Sequence, residues 1–224
     1  MRHYPSFKIL GSLFCISSTS AWRYVHFLLP HLYEALSSFN TIIWPTNWDT
    51  IPIGFCGCQF IIDCTSHQRD RVHPGQQLYY RGDKGFHFLT VEIGISPKGK
   101  LLKVMIANGH NSDKAMFNLE TRIEIENDNI CGLADRGYQH CLLIRPDDKD
   151  MANHLGLSVD EFGAQHSKYR SPGEMISSLT KLFSFASQRV TQPPEFQAFA
   201  LMSVYLLTDL NLYYCPSWYL PRVR

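Results

Sequence analysis

Three acidic residues lie where the sequence could bring carboxylates together to bind metal ions. Asp63 ends the apolar run FIID, and Asp135 follows the apolar run 130–134. Glu174 opens a segment with apolar residues at helical spacing. Carboxylates at the carboxyl ends of buried strands occupy the edge where α/β sheets place functional groups. Carboxylate oxygens are the ligands that Mg²⁺ prefers, and two such ions about 4 Å apart can clamp the attacking and leaving oxygens of a phosphoryl transfer.

Taken singly, each acid also has an ordinary structural interpretation. Asp135 stands before Arg136 and Gly137, where an acid often forms a turn. Glu174 could be a first-turn acid that the helix dipole favours. The pattern alone therefore suggests a metal site without establishing one.

The composition is that of a folded globular chain without a strongly basic surface. The chain has 224 residues, of which 45% are hydrophobic and 18% charged, and its net charge is +1. This length suits one sizeable domain with a small appendage, or two small domains. A near-neutral charge gives no support to nucleic-acid binding by the whole surface, although the segment 68–84 is locally basic.

The cysteines favour a reducing compartment. The seven cysteines are odd in number and include no CxxC pair, so neither a disulfide framework nor a zinc site is predicted. The apolar stretch 9–16 resembles a weak signal peptide, but glycine and serine interrupt it. No apolar run approaches the length of a membrane span. We therefore expect a soluble intracellular protein with no membrane partner.

The N-terminal segment is predicted to be helical. Hydroxyl residues at 17–20 offer helix N-caps, and apolar residues then recur at helical spacing as far as Leu36. Pro30 is expected to kink this helix or split it in two. The pattern fits either the end of a helix-turn-helix or a plain helical hairpin, and these residues alone favour the hairpin. Residues 44–57, rich in Pro, Gly and Trp, then predict a linker.

The remainder of the chain predicts a mixed α/β sheet. Two of its strands are joined by the short turn Pro97–Gly99, which makes an antiparallel hairpin. The polar segment 66–84 carries turn signals and separates the first strand from this hairpin. With the later strands joined through helices, the order fits a five-stranded sheet. The predicted strands are 60–63, 85–96, 101–107, 130–134 and 141–144.

Helical segments are predicted after the hairpin. A loop with a cap precedes the first of them, KAMFNLETRIEIE. Residues 146–167 are polar and are expected to be largely irregular, with a short helix. Pro172 and Gly173 should then delay the next helix, which places Glu174 at its N-terminus. The last helix begins at the Pro-Pro pair 193–194 and is apolar nearly all round, so it should be buried.

Four motifs, in order, resemble those of a known family. IIDCTSHQRDRVHP is similar to the strand and loop that carry the family's first acid. The segment from YYRGDKG to ANGHNSD is similar to its tyrosine-and-glycine segment, strand hairpin and G-x-x-x-D loop. LADRGYQ resembles the second-acid motif, and RSPGEMISSLTK resembles the R-x-x-x-E helix that ends in Lys. On these motifs, the segment from Ile61 to about Leu212 resembles the DDE-superfamily endonuclease domain of PIF/Harbinger transposases and of nucleases derived from them.

The resemblance implies an RNase H-like fold and a metal-dependent endonuclease or transposase. Asp63, Asp135 and Glu174 would be the catalytic metal ligands for two Mg²⁺ or Mn²⁺ ions. These ions would activate water or a DNA 3′-hydroxyl for in-line attack on a phosphodiester. Asp113 matches a loop acid of the family and is expected to cap a helix or to support a ligand. Basic positions of the same motifs would contact DNA phosphates, namely Arg170, Lys181, Arg81 and Lys84.

The resemblance also implies a domain division and partners. We expect a truncated helix-turn-helix-like segment (1–43), a linker (44–58), the endonuclease domain (59–213) and a tail (214–224). The first segment resembles only the last part of the family's helix-turn-helix region, so its front half is expected to be missing. DNA is the expected substrate, and a Myb-like partner protein, as is often found in the family, would supply DNA binding and nuclear import. The expected location is the nucleus, or the cytoplasm without that partner, and a homodimer is compatible with the resemblance.

Two hypotheses of different classes follow. The first is an active endonuclease, which the presence of all three acids supports. The second is a catalytically silent domesticated transposase that binds DNA or protein, which the near-neutral charge, the Pro-Gly pair before Glu174 and the expected truncation of the N-terminal segment favour. Convergence of the three carboxylates on a common point would favour the enzyme, and a Glu174 that points away would favour the silent module. An unrelated α/β hydrolase is disfavoured, because the chain has no G-x-S-x-G elbow.

Overall fold

A six-stranded mixed sheet organises the chain. The computed structural model describes residues 5–39 and 42–214. The strands are β1 (Phe60–Arg69), β2 (Tyr80–Arg81), β3 (Phe86–Ile95), β4 (Leu101–Asn108), β5 (Gly132–Leu133) and β6 (Leu143–Ile144). β3, β1, β5 and β6 lie side by side in that order, and both β2 and β4 pair with β3. β1 and β3 are antiparallel, whereas β1, β5 and β6 are parallel.

This topology confirms the predicted mixed sheet and is consistent with an RNase H-like fold. The predicted hairpin is also confirmed, because β3 and β4 are antiparallel neighbours joined by a tight turn. Within the turn, the Ser96 N–H donates to the Lys100 carbonyl at 2.8 Å. Gly99 has a φ of +83°, a left-handed conformation that glycine adopts without steric cost.

Helices cover both faces of the sheet. Neighbouring residues of a strand point to opposite faces, so β1 contributes to two separate cores. Ile61 packs with Ile176 and its neighbours on one face, and Ile62 packs with Phe117 and Ile125 on the other. The helices are α1 (Phe7–Leu13), α2 (Ser18–Ser38), α3 (Asp113–Leu119), α4 (Thr121–Asp128), α5 (Lys149–His154), α6 (Val159–Lys181), α7 (Ser184–Ser187) and α8 (Pro194–Tyr214).

The first strand is longer than the sequence predicted. β1 continues to Arg69 and pairs with β3 along this whole length, so the polar residues after Asp63 do not form a loop. His67 is satisfied inside the protein, because its Nδ1 donates to the Ala186 carbonyl at 2.7 Å and its Nε2 accepts from the Tyr205 hydroxyl at 3.1 Å. Asp63 therefore lies within a strand rather than at its end.

The helix that carries Glu174 is also longer than predicted. α6 starts at Val159 and runs without interruption to Lys181, so the prediction that 146–167 is largely irregular is wrong. A capping box fixes its start: the Ser158 hydroxyl accepts from the Glu161 N–H, and the Glu161 carboxylate accepts from the Ser158 N–H.

Pro172 and Gly173 lie inside α6 rather than before it. The prediction that Glu174 is at the helix N-terminus is therefore wrong. A proline in a helix removes one backbone hydrogen bond, which costs about 3 kcal/mol. Burial of Phe162 and Ile176 on either side of the pair offsets this cost and holds the helix on the sheet.

The N-terminal helices pack against the last helix. α2 is a single helix that contains Pro30, so the proline does not split it. The His26 ring stacks on Phe196 of α8 with centroids 4.3 Å apart, and Tyr33 meets Phe199 edge-on at 5.6 Å. These aromatic contacts hold α2 along α8 on both sides of the proline.

Part of the expected linker contributes to the core. Trp48 is buried, and its Nε1 donates to an oxygen of Asp128 at the end of α4 at 2.9 Å. The predicted tail beyond Tyr214 lies outside the described residues. None of the helices in 5–39 and 42–214 combines the length and the apolar character that crossing a membrane requires.

Candidate active site

Asp63 lies where β1 extends beyond its parallel neighbour. The pairing of β1 with β5 ends at Ile61 and Leu133, so Asp63 lies two residues beyond the last residue of β1 that pairs with β5. Its side chain is 17% exposed. The carboxyl ends of β1 and β5 point the same way, so this edge brings Asp63 and the residues after β5 together.

Asp135 occupies a tight turn just after β5. The Ala134 N–H still donates to the Ile144 carbonyl at 3.0 Å, and the Tyr138 N–H donates to the Asp135 carbonyl at 3.1 Å. The Asp135 carboxylate accepts from the Arg136 N–H at 2.8 Å. Tyr138 is fully buried and anchors the turn, while Asp135 itself is exposed. The turn therefore presents this carboxylate at the edge of the sheet.

Arg170 and Glu174 lie one turn apart on α6. The Arg170 Nη2 donates to Glu174 Oε1 at 2.7 Å, and its Nη1 lies 3.3 Å from Asp63 Oδ1. The Arg170 side chain is only 14% exposed, whereas that of Glu174 is 62% exposed. One guanidinium thus joins the first and third predicted acids, which come from different elements.

Gly173 explains how α6 approaches the strand so closely. A Cβ at this position would lie 3.6 Å from both Cβ and Oδ2 of Asp63 and 3.5 Å from Cδ1 of Ile95. These are ordinary van der Waals contacts, so there is room for little more than a methyl group. The Pro-Gly pair therefore helps to place the acids of α6 and β1 side by side.

Burial and neighbouring acids perturb Asp63. The pKa of its carboxyl is raised from 3.8 to about 6, chiefly by burial and to a smaller extent by the charges of Asp135 and Glu174. The Arg170 guanidinium and a hydrogen bond from the Cys64 backbone act in the opposite direction. The charges of Asp135 and Glu174 therefore both act on Asp63.

Asp113 lies on the other side of Asp135. It is the first residue of α3, whose N-cap is Ser112, so it is not itself the cap that was one of its expected roles. Burial raises the pKa of its carboxyl, as does the Asp135 charge, while Arg81 and Lys84 lower it. A Cβ at Gly137 would lie 2.9 Å from Asp113 Oδ2, so any other residue there would require the Asp113 carboxylate to shift.

Basic side chains gather beside these acids. Arg81 Nη1 and Lys84 Nζ both donate to the Ser66 hydroxyl, at 3.4 and 3.0 Å. Burial lowers the pKa of Lys84, and the charges of Arg81 and Lys181 lower it further. Arg81 also forms a bidentate pair with Asp83, with N–O distances of 3.1 and 3.0 Å. Three of the four predicted phosphate contacts therefore lie near one another, whereas Arg170 is engaged with acids.

The carboxylates do not form a ready-made metal cage. Among residues 5–39 and 42–214, no group of three His, Cys, Asp or Glu side chains is arranged to hold a metal ion. The Arg170 guanidinium lies between Asp63 and Glu174 instead. The donors are nevertheless carboxylate oxygens, which suit Mg²⁺, and a cation already occupies the space between them. The donor chemistry thus suits a divalent metal ion, but Arg170 would have to move before Asp63 and Glu174 could share one.

Sequence reasoning missed the internal role of Arg170 and the part played by Ser66. The spacing of Arg170 and Glu174 by four residues was a usable signal, because such pairs face each other on a helix. Nothing in the sequence identified Asp63 as the second partner of that arginine.

The mixed sheet is consistent with an RNase H-like fold, with acids near one edge and basic side chains around Ser66. Residues 62–207 match the family model described as DDE superfamily endonuclease, and residues 1–38 match the helix-turn-helix of DDE superfamily endonuclease. The chain belongs to the DDE superfamily endonucleases. Comparisons with curated proteins and with solved structures found no match.

Proposed function

We propose that this chain is a metal-dependent DNA endonuclease of the transposase type. The observation that carries the proposal is that Asp63 and Glu174 meet at one guanidinium while the Asp135 charge acts on Asp63. The family membership supports the endonuclease class, and the helix-turn-helix match supports DNA as the partner. We propose the nucleus as its location and a PIF/Harbinger-type origin, in keeping with the motifs.

The proposed ligands are Asp63, Asp135 and Glu174, with two Mg²⁺ or Mn²⁺ ions. When bound, these ions would supply positive charge to the attacking and leaving oxygens of the phosphodiester. Asp135 lies close enough to Asp113 for its charge to raise the pKa of the Asp113 carboxyl, and Asp113 is proposed to support that ligand.

The basic side chains are proposed to position the DNA strand. Arg81, Lys84 and Lys181 lie beside the acids and would contact backbone phosphates without reading the sequence. The bond between Lys84 and Ser66 holds the ammonium group near the strand that carries Asp63. Water or a DNA 3′-hydroxyl would be the nucleophile, giving cleavage or strand joining.

A catalytically silent DNA- or protein-binding module is the second candidate. It is favoured by one observation, the occupation of the space between Asp63 and Glu174 by Arg170. A Myb-like DNA-binding partner and a homodimer are further proposals. Recovery of no DNA-binding protein with the tagged chain from its native source would count against the partner.

Nicking of supercoiled plasmid in Mg²⁺ or Mn²⁺ tests the proposed function. Asp135→Asn should lower the nicking rate at least tenfold, because changes even behind a metal ligand typically cost about 10–100-fold. Asp150→Asn, at an exposed acid of α5, is the matched control and should nick like the native chain. Equal nicking by native chain and Asp135→Asn would refute the assignment. No nicking by any folded form, with or without a candidate partner, would favour the silent module.

A further inference from the structure

Arg170 is tied to two of the proposed metal ligands at once. Its Nη2 donates to Glu174 at 2.7 Å and its Nη1 lies 3.3 Å from Asp63. Charged hydrogen bonds of this kind are about twice as strong as neutral ones. The arginine side chain is 14% exposed, so solvent weakens these contacts only in part.

The guanidinium and a shared metal ion compete for the same carboxylates. A metal ion bound by both Asp63 and Glu174 needs the oxygens to which Arg170 is now paired. An arginine does not lose its proton in proteins, so it cannot yield by neutralisation. Its only way to release the acids is to move its side chain away.

A DNA phosphate is the natural second partner for a displaced guanidinium. Arginine binds phosphate and carboxylate oxygens with the same two-pronged geometry. Arg81, Lys84 and Lys181 already make the neighbouring surface attractive to a phosphate backbone. Lys181 lies on the same helix as Arg170, so a DNA strand that contacts Lys181 and runs along α6 would bring a phosphate to Arg170.

We propose that Arg170 is a positioning residue that holds Asp63 and Glu174 together in the metal-free protein and passes to a DNA phosphate when metal binds. This inference rests on the proposed function. It makes metal and DNA bind cooperatively, because each removes an obstacle to the other. Thermodynamic linkage requires the effect to be reciprocal, and such couplings typically amount to about 5–150-fold in affinity.

The competition between Arg170 and a metal ion is tested by Mn²⁺ binding to the full chain, measured by electron paramagnetic resonance without DNA. Arg170→Gln frees both carboxylates and should bind Mn²⁺ about tenfold more tightly than the native chain. Lys168→Gln removes the same charge from an exposed position of the same helix and should change the affinity little. Equal Mn²⁺ affinity in Arg170→Gln and the native chain would overturn the proposal.

DNA binding tests the proposed transfer of the Arg170 guanidinium to a DNA phosphate. The affinity for a short duplex, measured by fluorescence anisotropy, should rise about tenfold in the native chain when Ca²⁺ is added. Ca²⁺ takes oxygen ligands and serves here as a probe of the site. In Arg170→Gln the rise should be much smaller, because no guanidinium is left to transfer. An equal rise in both proteins would overturn the transfer to phosphate.

The outcomes separate this inference from the proposed function. If Mn²⁺ binds no form of the folded protein, the metal-dependent function fails. If Mn²⁺ binds native chain and Arg170→Gln alike, only the role of Arg170 fails. Arg170→Lys serves if the Gln variant does not fold, because an ammonium group keeps the charge but lacks the fork that joins two carboxylates. It should bind Mn²⁺ several-fold more tightly than the native chain, and an unchanged affinity would again overturn the proposal.

Discussion

Replacing the buried Glu92 by Gln should stabilise the protein more in alkali than in mild acid. Glu92 is 1% exposed, and one of its oxygens accepts from the Thr121 hydroxyl at 2.6 Å. Its other oxygen has no hydrogen-bond partner among the described residues. Burial raises the pKa of this carboxyl from 4.5 to about 7, although Thr121 and Lys103 act in the opposite direction. The charged form is therefore poorly accommodated.

The size of the effect follows from the difference between the two pKa values. Between pH 4.5 and 7 the native state keeps a proton that the unfolded state has lost. The unfolding free energy thus falls as the pH rises through this window and levels off above pH 7. A shift from 4.5 to about 7 corresponds to about 3 kcal/mol. Gln resembles the protonated acid and escapes this loss, so its advantage should be about 3 kcal/mol at pH 8.5 and about 1 kcal/mol at pH 5.

Urea unfolding of the native chain and Glu92→Gln at pH 5 and pH 8.5 measures this difference. The quantity compared is the gap, which is the unfolding free energy of Glu92→Gln minus that of the native chain at one pH. Any cost of the unpaired amide is the same at both pH values, so it cancels when the gaps at pH 5 and pH 8.5 are compared. At pH 8.5 the gain corresponds to roughly 6–12 °C in Tm for a chain of this size. Asp150→Asn, at an exposed acid of α5, should change the unfolding free energy by nearly the same amount at both pH values, because solvent screens its charge. A Glu92→Gln gap that is the same at both pH values would refute the reasoning.

Two further predictions concern packing and thiol chemistry. Gly173→Ala should be tolerated, because its methyl group would make only ordinary contacts with Asp63. Gly173→Leu should lower the unfolding free energy by about 1–3 kcal/mol and slow nicking. Equal Tm values for Gly173→Leu and the native chain would contradict this. The thiols of Cys58 and Cys131 lie 3.5 Å apart, so hydrogen peroxide should join them in a disulfide and form water. Peptide mass mapping would detect the disulfide as a loss of about 2 Da from the joined peptides. Cys131→Ser should abolish this loss. Its absence in the peroxide-treated native chain would refute the prediction.

Much of the sheet could be predicted because its strands are local apolar patterns. The hairpin turn and the apolar run before Asp135 can each be predicted from a few consecutive residues. The turn after β5 was also predictable, and the Tyr138 N–H does donate to the Asp135 carbonyl. The sequence was therefore sufficient to predict elements whose pattern lies within a few neighbouring residues.

The polar half of β1 could not be predicted because its partners are remote. His67 looks like a loop residue until Ala186 and Tyr205, 119 and 138 residues away, satisfy both of its ring nitrogens. Burial lowers the pKa of His67 to about 4, so it remains neutral in this setting. The period of the strand was hidden because polar residues stand at buried positions.

The interior course of α6 was missed for a different reason. Propensity predicts a break at Pro172 and Gly173, and tertiary packing overrides it. Gly173 of the same pair lies beside Asp63, with room between them for little more than a methyl group. A feature that the sequence presents as a defect therefore contributes to the geometry of the candidate site.

On our proposal, the active and the silent hypotheses differ in whether Arg170 or a metal ion holds the carboxylates of Asp63 and Glu174. A silent derivative need not have lost an acid, since it is enough that Arg170 holds Asp63 and Glu174 against the attraction of a metal ion. A net charge of +1 works in that direction, because a weak overall field attracts little DNA phosphate to take up the guanidinium. A tethered DNA-binding partner would raise the local phosphate concentration and shift the same balance the other way. An intact site of this kind is therefore expected to nick DNA poorly alone and better with its partner.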